Sequence, residues 1–300
     1  MPDNMREILI RVASIYGKRN NRRRKGNFLQ IFKDKFAVSG IPVEVLSGKE
    51  KDPSTHLIVG DLKKADTVYM TGYDTSTMFL LPFPYYPLDR KKNSTLEVID
   101  LLIRILCAIG VILLDVFFLK DLEVNRFLFI LLQALISLIV ILLVFGAASP
   151  YNFDRNTAAI TLLYQCAMEK KGKRPVFIYV DNTVQKGAYG YIYIAELLKD
   201  RLKGKKVVIL DCIANGKEIY CLHDEKTEAF FLPEIEGVSV KEKTITEEEK
   251  KNSPLREFEK AVYVVSGIEK NGKITVRKTR TFFDSEVDID RLEKLKEYIH

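Results

Sequence analysis

Along most of the chain, short apolar runs of five to eight residues alternate with segments of helical periodicity. The runs read as buried strands: PVEVL from Pro42, HLIVGDL from His56, TVYMTGYD from Thr67, PVFIYVD from Pro175, KVVILDCI from Lys206, EIYCL from Glu218 and AVYVVSGI from Ala261. Between them the spacing predicts helices over Met5–Tyr16, Asn27–Phe36, Asn156–Lys170, Ala188–Leu202, Thr246–Lys260 and Asp288–Ile299. Asp288 and Asp290 stand where a helix start favours acidic residues. Strands alternating with helices imply an α/β domain of three α/β/α layers around a mixed sheet.

Two segments break this pattern by being apolar on every side. Val98–Leu119 and Phe127–Ala148 are each 22 residues long. At 1.5 Å per residue each spans about 33 Å, against a bilayer core of about 30 Å. The second carries no charge; the first carries Asp100, Arg104 and Asp115. Asp100 and Asp115 sit near its two ends, and Arg104 is placed to snorkel to the interface. With the short connector Lys120–Arg126, the two read as a transmembrane helical hairpin over 98–148. The hairpin interrupts one discontinuous α/β domain made of 27–97 and 149–300, with 1–26 as a basic N-terminal segment. Arg90, Lys91, Lys92 and Arg155 flank the hairpin and outweigh Lys120 and Arg126 in the connector. The positive-inside rule then places the α/β domain and both termini in the cytoplasm, with the chain integral to the cell membrane.

Net charge is +7 over 300 residues, and its position matters more than its size. Residues 1–35 hold ten Lys or Arg and three Asp or Glu; the remainder holds 37 of each sign. The densest cluster, Arg22, Arg23, Arg24 and Lys25, suits an anionic membrane surface. Met5, Ile8, Leu9, Val12, Ile15 and Tyr16 make one apolar helix face just before it, which can meet either the inner leaflet or the α/β domain. No aromatic-interleaved motif accompanies the arginines, so nucleic acid is disfavoured. Cys107, Cys166, Cys212 and Cys221 lack metal-type spacing and lie in apolar runs, as buried reduced thiols do. No secretory signal opens the chain, no G-x-S-x-G elbow is present, and the GAYG at Gly187–Gly190 reads as a turn opening a helix.

Five stretches, taken in order, resemble the zinc-dependent aminopeptidase family with a phosphorylase/hydrolase-like fold, in particular its bacterial membrane-attached members. They are HLIVGDLKKADTVYMTGYDT, FDRNTAAITLLYQCA, PVFIYVDNTVQKGAYGYIYIAE, KKVVILDCIANGKEIYCL and TVRKTRTFFDSEVDIDRLEKLKEYI. The resemblance implies a site in which two zinc ions share a bridging water and a glutamate acts as general base. Carried over residue by residue, that site is degenerate. The first histidine position is Gly72, and its companion aspartate remains as Asp74. The bridging aspartate is Arg155; the paired glutamates fall within Thr183, Val184 and Gln185; the next aspartate remains as Asp211; the last histidine falls near Lys278. The chain has only three histidines, His56, His223 and His300, none at these positions.

Zinc needs several His, Asp, Glu or Cys ligands converging on each ion. The supply here favours a pseudoenzyme, a membrane-tethered binding or scaffold module with no cofactor. The alternative is an active metallopeptidase or hydrolase with an atypical zinc site. On the pseudoenzyme reading, Arg155 pairs with Asp74, Asp211 or Asp181 in the old metal pocket. The mouth of that pocket faces the bilayer and is open to a lipid or a membrane-bound protein.

Overall fold

The five residues of β4, Val176–Val180, are all buried, and they divide between two cores. Phe177 and Tyr179 point into one cluster; Val176, Ile178 and Val180 point into the other. This period-two division is what a strand covered on both faces requires. It recurs along β3 (Thr67–Gly72), β5 (Lys206–Asp211) and β8 (Ala261–Lys270), which with β4 form the centre of the sheet. In this computed structural model residues 4–48, 54–119, 125–149, 151–170, 175–184, 189–216 and 218–299 are described. Most of the expected connector (Lys120 to Val124), Gln185, Gly187, Ala188 and His300 lie outside them.

The sheet order is β1-β2-β4-β3-β5-β8-β6-β7, with β9 paired to β8. Here β1 is Val43–Ser47, β2 Thr55–Val59, β6 Glu218–Asp224, β7 Ser239–Ile245 and β9 Lys273–Thr275. Strands β4, β3, β5 and β8 run parallel, while β2 and β6 join them antiparallel, so the sheet is mixed. Helices α1 (Met5–Tyr16), α2 (Arg22–Val38), α5 (Ala158–Lys170) and α9 (Ile289–Glu297) cover one face. Helices α6 (Gly190–Leu197) and α7 (Lys199–Leu202) cover the other.

Two strands escape the sequence pattern. The edge strand β7 has no apolar run to mark it; most of its residues are charged or hydroxylated and face solvent. The short β9 forms a hairpin with β8 through Asn271 and Gly272, both at positive φ (53° and 74°), the geometry of a two-residue primed turn. The Asn-Gly pair is its sequence signal. The helix expected over 246–260 divides into α8 (Glu247–Lys251), closed by a Thr246 capping box, and a 3₁₀ turn at Pro254–Glu257. Proline cannot continue the α-helical ladder there.

The N-terminal segment belongs to the domain. Met5, Ile8, Leu9 and Val12 of α1 are buried, with the helix packed on α5 and α9, while Ile15 of the same expected face stays exposed. Asn21 caps α2 by accepting from the Arg24 N–H, so that helix starts earlier than its apolar positions suggest. Arg22, Arg23 and Arg24 in its first turn are exposed, whereas Lys25 turns inward.

The apolar insertion is a pair of antiparallel helices, α3 (Arg90–Leu114, continued by a π-helical turn at Asp115–Leu119) and α4 (Arg126–Phe145). Among the described residues only α4 is long and apolar enough to cross a membrane. The difference from the sequence expectation lies in α3, whose first turns are polar and which carries charges further in. Arg104 does not snorkel. It is buried and paired with Asp100 one turn earlier, and its guanidinium also donates to the Met78 carbonyl. At the other end Gln133 Nε2 donates to Asp115 Oδ1 at 2.6 Å, tying α4 to α3. Cys107 is exposed on α3, while the other three cysteines are buried as expected.

Candidate functional site

Strands β3, β4 and β5 are parallel neighbours, so their carboxyl ends deliver residues to one rim of the sheet. Gly72 is paired with Val180 in register, which brings Asp74 beside the Asp181–Val184 loop. Ligand sites of open α/β sheets lie at such rims. The sequence-predicted residues divide here into three clusters.

The first is built on Asp74. Its carboxylate accepts from the Thr183 N–H at 2.8 Å, the Thr183 hydroxyl at 2.7 Å and the Val184 N–H at 3.2 Å. Thr183 and Val184 stand where the resemblance puts the paired glutamates, and here they fold down onto the aspartate instead. Gly72 makes that possible. A Cβ at position 72 would lie 2.0 Å from Thr183 Oγ1 and 2.8 Å from Thr183 Cβ. A histidine at 72 and this loop position therefore exclude each other.

The second cluster is Arg155 with Asp211. A π-helical turn, Phe153–Thr157, precedes α5 and aims the Arg155 guanidinium at Asp211, with Nη1 in direct contact with Oδ1. The other oxygen, Oδ2, accepts from the Tyr263 hydroxyl at 2.8 Å and from that of Tyr85 at 3.2 Å. The Tyr85 ring lies over the guanidinium at 4.1 Å. Burial raises the pKa of both tyrosines, which keeps them as donors. Burial, the largest influence, works against a charged arginine, but Asp211 together with Tyr85, Cys212 and Tyr263 holds Arg155 above its ordinary value. The Cys212 thiol, beside the same pair, is pushed up by burial and is not a nucleophile.

The third cluster is Asp181, which pairs with Lys25 at 2.6 Å and also accepts from the Thr55 and Asn182 N–H groups. Lys25, expected from the sequence to join the exposed basic cluster, thus turns to the rim of the sheet and pairs with Asp181 there. Burial raises the Asp181 carboxyl, the charge of Asp74 adds to this, and Lys25 opposes it. Beneath these clusters lies Arg19, fully buried, which donates to the Tyr73 carbonyl and, at 2.6 Å, to Asn156 Oδ1. Burial lowers its pKa to about 9 against the pull of Asp74.

Lys278 is not part of the site; it pairs with Glu286 at 2.8 Å on an exposed surface. The cation delivered by that segment is Arg280, two residues on, which donates to Glu97 at 2.6 Å and lies over Phe79 at 3.8 Å. Arg19, Tyr85, Tyr263 and Arg280 escape the sequence reading because none stands at a ligand position of the resemblance. The lone signal was the run of aromatic residues in FPYYP after Asp74. His56 is buried and accepts from the Asp181 N–H at 3.2 Å, as an ordinary core residue.

These residues do not fit a zinc pair. Each surviving carboxylate has its lone pairs directed at donors of its own, and a guanidinium stands against Asp211. Among the described residues no three His, Cys, Asp or Glu side chains gather as a metal site would need.

Over the clusters lies a cleft of about 800 Å³, counted to its open mouth, walled by the first two turns of α3 and the loops carrying Tyr85, Pro254 and Arg280. Arg155, Thr183 and Val184 line its floor. Arg90 lines it too, stacked on Tyr189 at 4.4 Å. The buried Thr279 hydroxyl in its wall has no hydrogen-bond partner among the described residues.

No protein-family model matches the chain, and no curated protein sequence does. Solved structures do. The Legionella pneumophila LapA aminopeptidase superposes with a TM-score of 0.57 at 10% identity, covering 100% of this chain and 68% of that one. A Bacteroides thetaiotaomicron glutaminyl cyclase bound to N-acetylhistamine gives 0.53 at 12% identity, over 99% and 97% of the two chains. A Zn-dependent exopeptidase from Parabacteroides distasonis gives 0.53 at 10% identity, over 99% and 96%. The chain has the fold of these enzymes.

Proposed function

We propose that this protein is a membrane-anchored, catalytically inactive relative of the zinc aminopeptidases, in which the cleft above the former metal site serves as a binding pocket. One observation carries the reading: the buried Arg155–Asp211 pair, sealed by Tyr85 and Tyr263, occupies the place where the metal chemistry would be done. A guanidinium supplies a fixed positive charge but cannot lower the pKa of a water as a zinc ion does. Asp74 is held by three donors, and among the described residues that bond its carboxylate none is a glutamate that could serve as a general base. Binding remains open to such a site, and the unpartnered Thr279 hydroxyl and the Arg90 guanidinium are the groups a polar or anionic ligand would meet.

The anchor is α4 together with α3. The apolar residues of α4 are exposed along its whole length, and those of α3 from Val98 to Leu114. The pairing of Asp100 with Arg104 and of Asp115 with Gln133 turns the polar groups of the two helices toward protein partners, as a lipid environment demands. The basic residues Arg90, Lys91 and Lys92 in the first turn of α3 orient the α/β domain to the cytoplasmic side. The test is an assay of the full chain in detergent micelles with aminoacyl and N-terminal glutaminyl substrates and added zinc. No turnover above the uncatalysed rate is expected; turnover that disappears on Asp74→Ala would overturn the reading.

A further inference from the structure

The loop after Asp74 and the loop after Lys278 are far apart in sequence and joined in space. The Phe79 N–H donates to the Arg280 carbonyl at 3.0 Å, and Arg280 Nε donates to the Thr77 carbonyl at 3.2 Å. Both loops are fixed to α3 as well. The Arg280 guanidinium pairs with Glu97, and the Leu80 N–H donates to Asp100 Oδ1 at 2.6 Å. A further bond, from the Met78 N–H to the Ala147 carbonyl, ties the first loop to the end of α4. The second loop is shaped from within, by Thr281 Oγ1 donating to the Lys278 carbonyl and accepting from the Phe283 N–H.

What these two loops present is apolar. Leu80 and Leu81 are 41% and 44% exposed, and Phe282 and Phe283 are 62% and 66% exposed. Their level relative to α3 is set by the contacts above. The exposed apolar surface of α3 begins at Val98, and Asp100, which holds Leu80, lies two residues further along, about 3 Å of helix rise. Asp100 holds the first loop, and Glu97 through Arg280 the second, within about one turn of the point where the exposed apolar surface of α3 starts.

We propose that Leu80, Leu81, Phe282 and Phe283 form a second membrane contact, a foot that dips into the boundary between headgroups and acyl chains beside the helical anchor. The inference rests on the anchor proposed above. The occupant is the bilayer because the loops that carry the patch are hydrogen-bonded to α3 and to the residues just after α4, at the level where the exposed apolar surface of α3 begins. The foot has a consequence for the cleft. Arg280 belongs both to the foot and to the cleft wall, so the mouth of the cleft is held at headgroup level and meets ligands that travel in or on the membrane.

The chain contains no tryptophan, so single-tryptophan variants report without background. Three are compared in nanodiscs of phosphatidylcholine with and without brominated acyl chains: Phe283→Trp in the foot, Leu135→Trp midway along α4, and Val38→Trp, whose site at the end of α2 is 89% exposed. The expectation is strong quenching of L135W, loss of about half the emission for F283W as befits a residue seated roughly 5–10 Å deep, and none for V38W. If L135W is quenched and F283W behaves like V38W, the foot is wrong and the anchor stands. If F283W is blue-shifted but unquenched, a second copy or another protein covers the patch, and the foot is again wrong. If L135W is unquenched, the anchor itself fails and the foot with it.

Discussion

Arg155 and Asp211 meet at the carboxyl end of β5, with the ring of Tyr85 closing over the guanidinium and the hydroxyl of Tyr263 holding the second carboxylate oxygen. Both partners are buried, at two of the positions to which the family resemblance assigns metal-binding aspartates. A buried pair is costly to break from one side, because the remaining charge is left without a partner. Arg155→Gln should therefore destabilise the protein by about 3–5 kcal/mol. The double variant Arg155→Gln with Asp211→Asn should recover a large part of this loss. Denaturation of both variants and the unaltered chain in detergent micelles measures it; a neutral Arg155→Gln would show that the pair does not hold the site together.

Gly72 is a second point of no return. Gly72→Ala places a Cβ 2.0 Å from the Thr183 hydroxyl and should cost about 1–3 kcal/mol as overpacking. Adding Thr183→Gly removes the obstructing side chain and should restore most of the stability. An unchanged melting temperature in Gly72→Ala alone would mean that the loop over Asp74 is free to move away.

Lys25 tests the docking of the N-terminal segment. Lys25→Met removes the cation from Asp181, whose carboxyl burial already raises. The carboxylate is then left unpaired, a loss of up to about 3–5 kcal/mol at pH values where it is ionised. The destabilisation should be smaller in acid, where Asp181 is protonated and Lys25 has nothing to neutralise. An effect of equal size at all pH values would argue against the pair.

A pH dependence is built into the segment that carries Arg155. The Asp154 N–H donates to Asp284 Oδ1 at 2.7 Å; Asp284 is buried and Asp154 partly buried. Burial lifts them from 3.8 to about 7 for Asp154 and about 8 for Asp284; the charge of Asp211 adds to the first and that of Asp154 to the second. The folded protein thus keeps protons that the unfolded chain releases. This contribution is complete below about pH 4 and is lost as pH rises through the folded values, so thermal stability should fall between about pH 5 and pH 8. Asp284→Asn should flatten that fall. A profile that rises over the same window would contradict the assignment.

Much of the layout was legible before the structure. The apolar runs mark seven of the nine strands, because a strand buried on both faces must be apolar throughout. The two that escaped are an edge strand rich in charge and a three-residue hairpin arm. The candidate positions Gly72 and Thr183 could be located because they adjoin strand ends that the pattern marks, and Arg155 because it stands just before the apolar helix α5. What the sequence could not convey is where replacement side chains go. Lys278 and Arg280 differ by two positions, and only the bend of that loop, with both residues at positive φ, turns one to solvent and the other inward. The apolar face of α1 looks equally suited to lipid and to protein until α5 and α9 are seen against it. Arg104 could snorkel or pair, and the one-turn spacing from Asp100 decided for pairing.

Zinc binding tests the central claim most directly. Calorimetric titration of the detergent-purified, metal-stripped full chain with zinc chloride should give no saturable heat, because Asp74, Asp181 and Asp211 are each held by donors of their own. Saturable, stoichiometric zinc uptake that is abolished by Asp74→Ala or Asp211→Asn would contradict it, and would restore this site to the metalloenzymes whose fold it shares.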